Sequence, residues 1–110
     1  MTQKELSRLL YLQRKILSIG EDMEFKDRLS PKDREKKRRL LQRKTARLER
    51  ELEKLTRFIE SADDPLMRMI LKYRYLYGLS WTAVAMRVGG GNTAESVKKR
   101  AYRYLQKMGR

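Results

Sequence analysis

From Ser30-Pro31 to Ser61 nothing interrupts a helical register, and that unbroken span constrains the fold more than any other feature. Ser30 can serve as N-cap and Pro31 as first helical residue, with the Asp33 carboxylate near the positive helix end. Leu41, Thr45, Leu48, Leu52, Leu55 and Ile59 then recur at steps of 4, 3, 4, 3 and 4, a heptad-like seam flanked by Leu40 and Phe58. Extended backwards, the seam meets Arg38 and Arg34, so the first turns should project into solvent.

The opposite face of this helix carries Lys32, Lys36, Arg39, Arg43, Arg47, Arg50, Lys54 and Arg57, all within about 80° by helical projection. Acids flank it, and Glu35–Arg39 and Glu53–Arg57 are spaced as i,i+4 pairs. A stripe of one sign, ~38 Å long, could track a phosphate backbone, with Lys36, Arg39, Arg43, Arg47 and Arg50 at its centre. The plainer alternative is a solvated face that keeps a charged coil soluble.

Ahead of this span, Thr2 and Glu5 form a capping box, so a first helix is expected over about 2–19, ending at Gly20. Its apolar residues, Leu6, Leu9, Leu10, Leu12, Ile16, Leu17 and Ile19, cover about half the circumference, enough to touch more than one surface. Residues 20–30, with Met23, Phe25 and Leu29, read as a loop. Residues 1–61 thus form a helical arm suited to self-association, with helices at about 2–19 and 31–61.

Asp63-Asp64-Pro65 opens a second unit, 62–110, with carboxylates at the cap and proline at the first helical position. Helix 65–77 carries Leu66, Met67, Ile70, Leu71, Tyr73 and Leu76 and stops at Gly78. Ser80 caps a short helix with Trp81, Val84, Ala85 and Val88. Gly89 to Asn92 form a turn, and either Thr93, or Asn92 with Glu95, caps the last helix. No strand signal appears. The expected class is all-α: an N-terminal helical hairpin or coiled-coil arm, then a three-helix helix-turn-helix module.

Charge narrows the partners. Twenty-eight Lys and Arg against fourteen Asp and Glu give +14, which attracts polyanions, either nucleic acid or an anionic membrane surface. No apolar run approaches the ~20 residues of a spanning helix, and no signal-peptide pattern opens the chain, so a cytoplasmic location is expected. Absence of cysteine and histidine removes Cys/His zinc sites, disulfides and His-based triads. With no phosphate loop either, neither enzyme activity nor a cofactor, metal or small-molecule substrate is expected.

The last helix divides by face. Ala101, Tyr104, Leu105 and Met108 lie within about 80° of Val97 by helical projection and should pack inward with it. Lys99, Arg103, Gln106 and Arg110 point the other way, with Ser96 and Lys107 beside them and Lys98 and Arg100 on the shoulders. That suits insertion into a major groove: Ser96, Lys99, Arg100 and Arg103 near bases, and Lys98, Lys107 and Arg87 on phosphates. Thr93 would cap the helix and could add a backbone phosphate contact. Trp81, Tyr73, Tyr75, Tyr77 and Tyr104 are spaced for core packing, which leaves Tyr102 as the aromatic available to nucleic acid.

From about Pro65 to Met108 the chain resembles region 4 of the sigma-70 superfamily. The matching residues are Leu71, Arg74, Tyr75, Gly78, Leu79, Ser80, Trp81, Val84, Ala85, Val97, Lys98, Arg100, Arg103 and Leu105. Gly89-Gly90-Gly91-Asn92 stands where the family has a Leu-Gly-aliphatic turn, and no region 2 is recognisable ahead of it. A charged helical arm before such a module is similar to small phage and prophage regulators of the ArpU and RinA sort. The resemblance implies a sequence-specific, double-stranded DNA-binding regulator of transcription, phage- or prophage-encoded. A dimer or small homo-oligomer is expected, because self-association through the arm would present two modules to one duplex. Two alternatives share these features: a small terminase-like DNA-recognition subunit of a packaging machine, and an interaction protein docking on RNA polymerase or a host nucleoprotein.

Overall fold

The computed structural model describes residues 1–25 and 30–108. Among them it is all-α: α1 (Gln3–Phe25), α2 (Pro31–Glu60), α3 (Pro65–Leu71) continued by a π-helical turn (Lys72–Leu76), α4 (Trp81–Val88) and α5 (Ala94–Met108). The side chains of Ile19, Met23 and Phe25, and residues Leu29 and Arg110, lie outside the described residues.

Local chemistry places the starts. The Glu5 amide donates to Thr2 Oγ1 at 3.2 Å, and the Asp33 amide to Ser30 Oγ at 3.2 Å. Asp64 Oδ1 accepts from the amides of Leu66 and Met67, and Ser80 Oγ from that of Ala83. Each side chain satisfies a backbone donor that the first helical turn leaves open. The end of α1 differs from expectation. The helix runs through Gly20 to Phe25, so residues 20–25 are helical where a loop was expected, and 26–29 of that expected loop lie outside the described residues. A lone glycine costs about 1 kcal/mol against alanine inside a helix, and Glu21 to Phe25 contain no further breaker to stop propagation.

α1 packs antiparallel along α2. Leu6, Leu9 and Leu10 of α1 meet Leu55 and Ile59 of α2 in one core with Ile70, Leu71, Tyr75, Val84, Val97, Ala101 and Leu105. Two segments that differ in composition, the arm and the C-terminal unit, therefore share a single apolar interior. The wide apolar face of α1 is explained: it packs on α2 and also touches the π turn and α5. The α2 seam finds its partner within the same chain. Leu55 and Ile59 are buried and Leu48 and Leu52 half-buried, while Leu40 remains exposed.

Candidate nucleic-acid interface

Ser80 starts α4, and Gly89 ends it with φ +70°, its amide donating to the Ala85 carbonyl. Gly90 and Gly91 follow at φ +66° and +76°, three left-handed residues in succession that only glycine adopts without strain. Asn92 Nδ2 donates back to the Gly89 carbonyl at 2.8 Å and closes the turn.

Thr93 is the cap of α5: the Ser96 amide donates to Thr93 Oγ1 at 3.1 Å, and the Thr93 amide donates to Ser96 Oγ at 2.9 Å. The reciprocal pair decides between the two caps that the sequence allowed. It also engages the Ser96 hydroxyl, which donates to the Thr93 carbonyl at 3.0 Å. Ser96 is thus turned back onto the helix start, unlike the base-reading role expected for it.

Val97, Ala101 and Leu105 are buried, fixing α5 against α3 and α4. Tyr104 is half-buried, and its hydroxyl donates to Asp63 Oδ1 at 2.7 Å, tying the helix to the loop before α3. Burial, followed by this hydrogen bond, raises the Tyr104 phenol above its ordinary range. The other side of α5 is open. Lys99, Arg100, Arg103, Gln106 and Lys107 are all exposed, and none of the four cations has an ion-pair partner among the described residues. Glu95 is exposed in the first turn, favourable to the helix dipole.

The shoulders differ. Lys98 is half-buried, its ammonium 5.7 Å from the centre of the Tyr102 ring. Tyr102 is half-buried as well, edge-on to Trp81 at 6.1 Å, with its hydroxyl accepting from Gln3 Nε2 at 3.3 Å. It joins α5 to α4 and α1 instead of standing free on a flank. Among the described residues of the C-terminal unit the exposed aromatic is Tyr77, 59% exposed, where core packing was expected. The cause is the π turn: the Tyr77 amide bonds to the Lys72 carbonyl, five residues back, at 3.1 Å. One inserted residue rotates the following side chains by about 100° relative to a regular α-helix.

Arg87 is exposed at the end of α4, with its guanidinium 5.3 Å above Tyr73, whose ring lies 5.9 Å from that of Tyr77. Met86 beside it is 78% exposed. Sequence reading passed over Met86, although helical projection places it opposite the Val84 and Ala85 side of α4.

On α2, Lys32, Lys36, Arg39, Arg43, Arg47, Arg50, Lys54 and Arg57 are all exposed, one charged face along the arm. Glu35 pairs with Arg39 at 3.3 Å and Glu53 with Arg57 at 3.6 Å, the two i,i+4 contacts expected. Lys54 pairs with Glu51, while Lys36, Arg43, Arg47 and Arg50 have no ion pair among the described residues. Only Arg39, Lys54 and Arg57 of the stripe are paired among the described residues, so its middle, from Arg43 to Arg50, keeps its positive field.

Among the described residues, no group of side chains could hold a metal ion, and no helix is long and apolar enough to cross a membrane. Compared with protein-family models, curated proteins and solved structures, the chain matches none.

Proposed function

We propose that the chain is a sequence-specific double-stranded DNA-binding regulator of transcription, of the phage or prophage type that its sigma region 4-like segment suggests. One observation carries this reading. A helix pinned on its aliphatic side by Val97, Ala101 and Leu105 offers Lys99, Arg100, Arg103 and Lys107 to solvent, and no carboxylate among the described residues pairs with them. An α-helix presenting such a face fits the major groove, and guanidinium groups there suit bidentate contact with guanine.

Arg100 and Arg103 would read bases, with Lys99 beside them. Lys107 and Arg87 would hold phosphates, and Lys98 would do so after leaving the Tyr102 ring. The Thr93 cap would leave the amides at the helix start directed toward the backbone. Pairing of two copies would use apolar side chains that the fold leaves exposed on the arm, such as Leu17 and Leu40.

Selection of duplexes from a random pool, with the mass of the complex measured, tests the reading. Arg103→Ala should cost ~1–3 kcal/mol and relax preference at one base pair. Lys107→Ala should weaken all sequences alike and flatten the salt dependence. Equal affinity for every duplex and for RNA would leave only an electrostatic binder, and ring-sized assemblies would favour a packaging subunit.

A further inference from the structure

Away from α5, a trough of about 780 Å³ runs between α1 and α2. Leu9, Leu12, Ile16 and Leu48 line it, and Tyr11, 63% exposed, stands on the α1 side. Arg8, Lys15, Lys44 and Arg47 line it too, none with an ion-pair partner among the described residues. The two carboxylates there are already engaged: Glu51 pairs with Lys54, and Glu5 accepts from the Thr2 hydroxyl.

The lining residues follow a period. On α1, Glu5, Arg8, Leu12 and Lys15 recur at steps of 3, 4 and 3, and on α2 Lys44, Leu48 and Glu51 recur at 4 and 3. Two such rows facing one gap are what a third helix meshes with in a left-handed bundle. The apolar lining matches little of a duplex surface, which is phosphate and sugar with mainly polar base edges in the grooves. The cations select against a second copy of a +14 chain.

We propose that this trough seats an acidic amphipathic helix of another protein. Its apolar face would lie on Leu12, Ile16 and Leu48, and its carboxylates against Arg8, Lys15, Lys44 and Arg47. No residue of α5 contributes to the site, and of the α2 stripe only Arg47 does, so Arg8, Lys15, Lys44 and the apolar lining separate it from the DNA-binding reading.

The test uses the full chain and a labelled ~20-residue peptide with leucine at heptad positions a and d and glutamate at e and g. Fluorescence anisotropy should report saturable one-to-one binding that weakens between ~50 and ~200 mM salt. The same peptide with lysine for glutamate should not bind. Lys15→Glu and Arg8→Glu lie at exposed positions, so circular dichroism should find the fold intact, and each should weaken the acidic peptide about tenfold. Leu12→Asn should do the same through the apolar side. Three results would overturn the proposal: no saturation, equal binding of the lysine peptide, or indifference to these substitutions. Displacement of the peptide by a mixed-sequence duplex, or by a second copy at rising protein concentration, would overturn it as well.

Discussion

Arg74 holds the C-terminal unit together from inside. Its guanidinium lies 4.9 Å from the centre of the Trp81 ring, while Nη1 donates to the Leu79 carbonyl at 2.9 Å, joining the π turn to the start of α4. Its neighbour Tyr75 is 1% exposed and meets Trp81 edge-on at 6.2 Å. Burial first, then the nearby Tyr102, push the Tyr75 phenol up to about 12, with Arg74 and Ser7 pulling the other way. In the unfolded chain tyrosine ionises near its ordinary value of about 10. Between those values the unfolded state sheds a proton that the folded state keeps, so stability falls as pH rises through that window. The loss should reach roughly 2–3 kcal/mol. Titrations of Tyr75→Phe and the parent chain by denaturant midpoint, from about pH 9 to 12, separate this effect from lysine deprotonation. The phenylalanine variant should have the flatter profile, and parallel profiles would show that Tyr75 ionises freely.

At the scale of elements, the helix starts and the turn were legible because their chemistry is local. Thr2, Ser30, Asp64, Ser80 and Thr93 each act on amides within three residues, so sequence spacing identifies the first four and narrows the last to Thr93 or Asn92. The inward and outward faces of α5 were legible for the same reason, since helical projection sorts them. The aromatic shell was not. Whether Tyr102 or Tyr77 faces solvent depends on a π turn and on Gln3 arriving from α1, and neither leaves a mark at nearby positions. The glycine turn offers a test of pure backbone conformation. A Cβ added at Gly91 meets nothing within 4 Å, so Gly91→Ala carries no clash, only the left-handed φ of +76°. That strain should cost ~1–2 kcal/mol by chemical denaturation. Gly91→Asn should cost less because its side chain tolerates this region, and Gly91→Val more. Equal costs would mean that the turn relaxes to another geometry.

The whole molecule is tied together by its interior and opposed by its surface. Leu6 and Leu55 are both fully buried, and they join Ile70, Leu71 and Tyr75 across the division between arm and C-terminal unit. Leu6→Ala should therefore cost ~2–5 kcal/mol. Its effect should reach Trp81, so Trp81 fluorescence and helical circular dichroism should lose signal in one coincident transition. Two separated transitions would indicate that the arm and the C-terminal unit fold independently. Surface charge acts in the opposite sense. With +14 spread over extents of 52 × 28 × 18 Å, the folded chain repels itself, and ions screen that repulsion beyond a Debye length of about 10 Å at 0.1 M. Added salt should thus raise the midpoint of unfolding of the free chain. The proposed complex with DNA should respond with the reverse sign. If α5 and the α2 stripe together neutralise 6–10 phosphates, affinity should fall ~10³–10⁵ between 50 and 200 mM salt as counterions reassociate. The slope itself distinguishes which surfaces take part. Substituting Arg43 and Arg50 by glutamine should lower it by about two if the stripe lies on the backbone, and leave it unchanged if α5 and its surroundings bind alone.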